Sequence, residues 1–173
     1  MNRGAFLDGI SALAPKLAIQ EIIGPSLAEI RSKAPTFPPH SLAVQLSNLA
    51  ERQGRVTTNV EVVSAVAERG RIPVVEGSTL SLGRGALGGE VVSFPEVGKA
   101  LARIVLSALE DDSAQSGVRM HHAALHRAVD WRQMERFGIK ESALPPGTEI
   151  RFRKPSFWQE YRREVSIAGA VVA

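Results

Sequence analysis

The sequence predicts an α/β protein with an open, mostly parallel, doubly wound sheet and a C-terminal helical extension. Short apolar runs alternate with segments of helical periodicity, which is typical of strands joined by helices. The joining segments are long enough to cross over a sheet, as parallel strands require. With 173 residues, 44% of them hydrophobic and 23% charged, the chain can bury a core of its own.

In the first half, apolar spacing and turn residues predict three helices and three strands. Ser26 and Glu29 have the spacing of a capping box, in which each side chain satisfies a backbone donor of the other residue. Gly70 is a natural stop for a helix that starts at Asn59. The predicted order is helix 6–13, strand 17–23, helix 26–34, strand 41–47, a polar loop 48–58, helix 59–69 and strand 72–76.

The second half changes character after a polar break at 111–117. Before it, we predict a strand at 88–94 and a helix at 96–110, with Pro95 in the first turn. After it, Asp130 caps a short helix, and a Pro-Pro-Gly turn precedes a strand at 149–152. The predicted parts are an α/β lobe at 1–112, a return segment at 118–155, and at 156–173 a helix that leads into a truncated membrane segment.

Composition excludes several classes of function. The net charge is +3, but acidic and basic residues are interleaved and aromatic residues are only 5%, so no nucleic-acid surface is expected. The absence of cysteine excludes disulfides, thiolate metal sites and a cysteine nucleophile. Residues 1–10 do not have the pattern of a signal peptide, because Asp8 and Gly9 interrupt the apolar run.

A glycine-rich motif, G-R-G-A-L-G at 83–88, matches the dinucleotide-binding pattern G-x-G-x-x-G. That fingerprint needs a helix to open at the glycines, whereas a β-branched strand pattern follows here. We therefore expect no nucleotide cofactor, and no other cofactor is predicted. The glycines fit either a close backbone approach beside a ligand cleft or a simple strand connection.

No residue pattern indicates catalysis or a metal centre. His121, His122 and His126 form the histidine cluster, but the sequence does not have the H-E-x-x-H arrangement, and an exposed cluster in a linker is the favoured interpretation. No serine lies in a G-x-S-x-G motif. We therefore predict that the chain is not an enzyme.

Several motifs follow one another in the second half. They are L-G-R-G-A-L-G-G at 82–89, V-D-W-R-Q at 129–133, R-F-G-I at 136–139, E-S-A-L-P-P-G-T-E-I-R-F-R-K-P-S at 141–156, and then Trp158 and Tyr161. In combination they resemble the periplasmic sensor region of bacterial two-component sensor histidine kinases whose fold follows ABC-transporter substrate-binding proteins. The resemblance spans residues 19–165.

The resemblance implies a lobe of a periplasmic-binding-protein-like fold that binds a small molecule in a cleft between two lobes. Closure around the ligand would then move a membrane helix, with no bond made or broken. The implied partners are the ligand, an upstream lobe, and downstream membrane and kinase domains, and a dimer is left open. The parent protein would be tethered to the membrane in the periplasm. Val165–Ala173 is apolar but too short to span a bilayer, which fits a cut membrane helix.

Ligands of open α/β sheets bind beyond the carboxyl ends of the strands. That rule nominates Ser47 and Asn48 after one strand and Ser78 and Thr79 after another. The turn of Gly83, Arg84 and Gly85 is expected nearby, where Arg84 is either an anion-binding group or a solvated loop residue. The alternative functions are a substrate-binding component of an ABC transporter and a cytoplasmic nucleotide-using α/β enzyme.

Overall fold

A computed structural model describes residues 3–46, 49–50, 56–110 and 125–154 as a mixed α/β fold with small open sheets. Its α-helices are α1 (Arg3–Leu13), α2 (Leu27–Lys33), α3 (Asn59–Arg69), α4 (Phe94–Glu110) and α5 (Trp131–Arg136). Its strands are β1 (Ala43–Gln45), β2 (Leu49–Ala50), β3 (Val56–Thr57), β4 (Val74–Glu76), β5 (Gly88–Val92), β6 (Leu125–Asp130) and β7 (Glu149–Arg151).

Strand pairing brings distant parts of the chain side by side. β1 and β4 pair in parallel, and α3 lies between them in the chain as the crossover. β6 pairs with β5 in antiparallel fashion and with β7 in parallel, while β2 and β3 form a short antiparallel pair. β5 also runs beside β4, because the amides of Leu87 and Val92 donate to the carbonyls of Val74 and Gly77 at 2.8 and 2.9 Å. The segment after the polar break thus pairs with β5 in a three-stranded sheet, β5-β6-β7.

α3 forms the centre of the core. Thr58 and Glu61 close a capping box at its start, and Val62, Val63 and Val66 are all buried. These side chains pack against Ile30 of α2, Val74 of β4 and Ala86. The helix is held in place by burial of its valine-rich side, because β-branched residues in a short helix depend on tertiary packing.

The capping and stop signals in the sequence are confirmed. Ser26 and Glu29 form the capping box of α2. α3 ends at Gly70 as predicted, but Gly70 has a φ of −81° and is not in the left-handed conformation. Glycine is required there by space instead, since a Cβ would lie 2.7 Å from the carbonyl oxygen of Val66.

The predicted strand at 17–23 is wrong. Residues 17–23 have no regular secondary structure, and Leu17 and Ile23 are 62% and 78% exposed. An apolar run becomes a strand only where another strand completes its hydrogen bonds, and none of the described strands pairs with this segment. The predicted loop at 48–58 is also interrupted, because β2 and β3 lie within it.

α4 leaves much of its apolar surface uncovered. Leu101, Val105 and Leu109 follow one another at four-residue intervals and are 56%, 56% and 77% exposed. Within the described ranges, none of the helices is both long and apolar enough to cross a bilayer. The predicted segment at 156–173 lies outside the described residues, so the proposed membrane connection stays a prediction.

Two glycines of the G-x-G-x-x-G motif are required by close packing. Gly85 has a φ of +112°, and a Cβ there would overlap the Cβ of Ala67 on α3. Gly88 has a φ of +109°, and a Cβ would overlap the backbone of Ala128 on the neighbouring strand. As the sequence predicted, the third glycine begins a strand, β5, and not a helix.

We predict that Gly85→Ala lowers the free energy of unfolding by about 2–4 kcal/mol. Strain at positive φ contributes about 1–2 kcal/mol of this loss and overpacking against Ala67 the remainder. Gly89→Ala is the matched control, because Gly89 also has a positive φ, +143°, but nothing lies within 4 Å of an added Cβ. Denaturant unfolding measures both variants, and equal losses would show that α3 does not pack tightly on this turn.

Candidate functional site

A polar network lies at the carboxyl ends of the parallel strands β1 and β4. Gln45 and Glu76 are the last residues of the two strands, and Asn59 is the first residue of α3. The Gln45 amide nitrogen lies 3.3 Å from Asn59 Oδ1, and the Asn59 amide donates to Glu76 Oε1 at 3.2 Å. The Ser78 hydroxyl donates to Glu76 Oε2 at 2.8 Å. We call Gln45, Asn59, Glu76 and Ser78 the Glu76 network.

The network extends from the interior to the surface. Glu76 is buried at 8% exposure, whereas Gln45, Asn59 and Ser78 are half-buried. Both oxygens of the Glu76 carboxylate thus accept a hydrogen bond from a neutral donor. In the described part of the chain, no salt bridge involves Glu76. These two hydrogen bonds hold the Glu76 carboxylate in a fixed orientation at the end of β4.

The nominated ligand residues fall at different places. Ser78 belongs to the Glu76 network, and its Oγ also accepts from the Leu80 amide at 3.3 Å. Thr79 is half-buried and begins the adjacent 3-10 helix, Thr79–Ser81. Ser47 and Asn48 lie outside the described residues, two and three positions after the end of β1. Ligand binding by these four residues remains a prediction.

The glycine-rich turn forms hydrogen bonds and packing contacts with residues outside the Glu76 network. The amide of Gly83 donates to Asp130 Oδ2 at 3.0 Å, and a Cβ on Gly83 would lie 2.7 Å from the ring of Phe152. The Arg84 carbonyl accepts from Ser64 on α3 at 3.0 Å, while the Arg84 side chain is exposed. Packing explains Gly83 and Gly85, and binding of a ligand by Gly83, Arg84 or Gly85 stays a prediction.

Asp130 organises this second region. It is fully buried, caps α5 through the Arg132 amide at 3.0 Å, and forms a two-pronged ion pair with the Arg132 guanidinium at 3.0 and 2.8 Å. The side-chain hydrogen bond to Asp130 raises the pKa of Arg132. The Arg132 guanidinium lies 4.4 Å from the ring centre of Phe152, a residue at a positive φ of +58°. Gly83, Asp130, Arg132 and Phe152 are called the Asp130 cluster below.

Sequence reasoning missed Gln45, Asn59 and Glu76. Glu76 did have a signal, because a charged residue that ends an apolar strand pattern faces either solvent or a site. Asn59 was assigned only to a helix start, and Gln45 only to a strand. Their convergence depends on the pairing of β1 with β4, which residue spacing alone does not reveal.

Other regions of the described chain offer fewer converging polar groups. In the described residues, no group of three His, Asp or Glu side chains could hold a metal ion. His126 lies 3.8 Å from Glu149, whereas His121 and His122 lie outside the described residues. A cavity of about 980 Å³ between residues 20–26 and α2 contains none of the nominated ligand residues. The Glu76 network is therefore the strongest candidate site.

We predict that Asp130→Ala lowers the free energy of unfolding by about 3 kcal/mol or more. It removes the acceptor from the amides of Gly83 and Arg132 and breaks an ion pair in which the carboxylate is fully buried and the guanidinium is about half exposed. Glu149→Ala is the control, because that carboxylate is half exposed and is expected to change stability by less than about 1 kcal/mol. Urea unfolding gives both values, and a small loss for Asp130→Ala would contradict a central role for this cluster.

No protein-family model matches the chain, and neither a curated protein nor a solved structure matches it significantly. The function of the chain is therefore inferred from its residues, from their arrangement at the carboxyl ends of β1 and β4, and from the motifs that resemble the sensor family.

Proposed function

We propose that the chain is the ligand-sensing lobe of an extracytoplasmic sensor from a two-component system. The lobe would belong to an open, doubly wound sheet of the periplasmic-binding-protein type, with a second lobe across the cleft. The observation that carries the proposal is the Glu76 network. It places amide, hydroxyl and carboxylate groups at the carboxyl ends of parallel strands, where open α/β sheets bind ligands.

The chemistry of the network favours binding over catalysis. Asn59 and Ser78 are neutral hydrogen-bonding groups, and the four residues of the network include no histidine, lysine or cysteine. The Ser78 hydroxyl donates to the Glu76 carboxylate, which orients both groups. Neutral donors and acceptors that are fixed by one another are suited to orienting a small molecule. A function that binds and releases a ligand without chemical change therefore fits these residues best.

α3 supplies a route from the ligand site to the return segment. Its first residue, Asn59, belongs to the Glu76 network. At its other end, about 16 Å away for 11 residues, the Arg136 guanidinium donates to the carbonyls of Ala67 and Gly70 at 2.7 and 2.9 Å. A displacement of α3 on ligand closure would thus be transmitted directly to α5. This connection supports a sensor, whose output depends on movement.

Exposed apolar side chains support the expected partner. Leu101, Val105 and Leu109 form an uncovered row on α4, and Leu17 and Ile23 are exposed before α2. Soluble monomers rarely expose contiguous apolar patches of large size. In the proposed parent protein, the second lobe and the membrane-proximal region are the elements available to cover such surfaces.

We predict that ligands found in a small-molecule screen against the whole chain act at the Glu76 network. Two-dimensional NMR of the labelled protein should show saturable shifts at Asn59, Glu76 and Ser78. Ser78→Ala should weaken binding about three- to tenfold, because it removes one oriented hydroxyl. Ser32→Ala on α2 is the matched control, since the Ser32 hydroxyl bonds only its own helix, to the Glu29 carbonyl.

Ligands that shift only the signals of Gly83, Asp130 and Phe152 would move the site to the Asp130 cluster and remove the main support for the proposal. Equal effects of Ser78→Ala and Ser32→Ala would do the same. A dinucleotide that bound in the micromolar range at the glycine-rich turn would favour the alternative nucleotide-using enzyme.

A further inference from the structure

We infer that the ligand presents a cationic group, such as a protonated amine, to the Glu76 carboxylate. This inference rests on the proposed function, because it assigns a ligand class to the same site. It follows from the surroundings of the Glu76 carboxylate, which is buried at 8% exposure and accepts hydrogen bonds from Asn59 and Ser78. Neither donor is charged, and no cation of the described chain pairs with Glu76.

The carboxylate keeps capacity for a further donor. An ionised carboxylate has about four acceptor positions on its two oxygens, and Asn59 and Ser78 occupy two of them. Burial of a carboxylate without a cation is unfavourable. A charged donor that reaches the carboxylate therefore contributes more binding free energy than a neutral donor. An ammonium group has three donors and no acceptor, and it matches a site of this kind.

Glu76 is not required as a cap for α3. The Thr58 amide and hydroxyl donate to Glu61 Oε2 at 2.9 and 3.0 Å, and the Glu61 amide donates back to Thr58 Oγ1 at 3.3 Å. The start of the helix is therefore satisfied by its own capping box. A structural reason for a charged residue at the end of β4 is correspondingly weaker, since a neutral glutamine could accept from Asn59 and donate to the Ser78 hydroxyl.

Long-range electrostatics would favour the opposite class of ligand. The chain has a formal net charge of +3, so diffuse attraction acts on anions. A measured preference for cations would therefore come from the Glu76 carboxylate and not from the net charge of the chain. A divalent metal is a poorer match than an amine, because Ca²⁺ and Mg²⁺ sites draw on several oxygen ligands, usually with more than one carboxylate, and Glu76 supplies a single one.

The test uses the whole chain and two matched series of probes. One series is putrescine, 1,4-butanediol and succinate, and the other is benzylammonium, benzyl alcohol and benzoate. Each is titrated at constant ionic strength while NMR records the signals of Asn59, Glu76 and Ser78. We expect saturable shifts with putrescine or benzylammonium and binding about tenfold weaker or undetectable with the alcohol and the acid of the same series. Calcium chloride alone is a further arm.

Glu76→Gln is the decisive variant, because it removes the charge and keeps the size of the side chain. It should reduce amine affinity about tenfold or more, so that the amine of each series binds no more tightly than the alcohol of the same series. Glu61→Gln is the matched control, since it changes an equal charge that already serves the cap of α3. If Glu76→Gln does not fold, the charge series on the unaltered chain decides the question.

The possible outcomes separate the two proposals. Alcohols or acids that bind at the Glu76 network as well as the amines would overturn the cationic ligand class and leave the proposed function intact. Saturable shifts with calcium alone would replace the amine by a metal. Absence of any shift at the network, with every probe and with screened ligands, would overturn both the ligand class and the proposed site.

Discussion

The buried carboxylate of Asp130 is the constraint on which the rest of the fold depends. It joins the glycine-rich turn to α5, because the Gly83 amide and the Arg132 amide both donate to it. The backbone amide of Asp130 also donates to the Leu87 carbonyl at 2.9 Å, which fixes β6 against the start of β5. Because a buried carboxylate without its donors is unfavourable, these hydrogen bonds hold the turn, β6 and α5 in one arrangement.

This constraint changes the meaning of the glycine-rich motif. Gly85 faces Ala67 of α3, Gly88 faces the backbone of β6, and Gly83 faces the ring of Phe152. Gly85 and Gly88 are explained by neighbours that leave no space for a side chain, and Gly83 by its positive φ of +84° beside the Phe152 ring. A dinucleotide fingerprint uses such space for the pyrophosphate and opens a helix there, whereas β5 begins at Gly88. The letters of the motif are the same, but its physical cause is protein packing.

Local signals in the sequence predicted caps and several strands, whereas the pairing of distant segments could not be predicted from residue spacing. The capping box of Ser26 and Glu29 could be predicted because both residues lie within one turn. The strand proposed at 17–23 failed because a ladder needs a partner that spacing does not supply. The Glu76 network was missed for the same reason: Gln45 and Glu76 are 31 positions apart and meet only through the pairing of β1 with β4. Ser78, which belongs to the same network, was nominated because it follows a predicted strand end.

The two buried carboxylates of the described chain, Asp130 and Glu76, differ in the charge of their partners. Asp130 is fully buried and is matched by Arg132 and by backbone amides, so its charge is compensated within the fold. Glu76 is buried almost as deeply but is held by Asn59 and Ser78, which carry no charge. Because a cation relieves the unfavourable burial of a carboxylate, the cationic ligand that we propose would compensate Glu76 as Arg132 compensates Asp130. The position of Glu76 at a strand end, beside half-exposed amides and a hydroxyl, is where such a partner could approach.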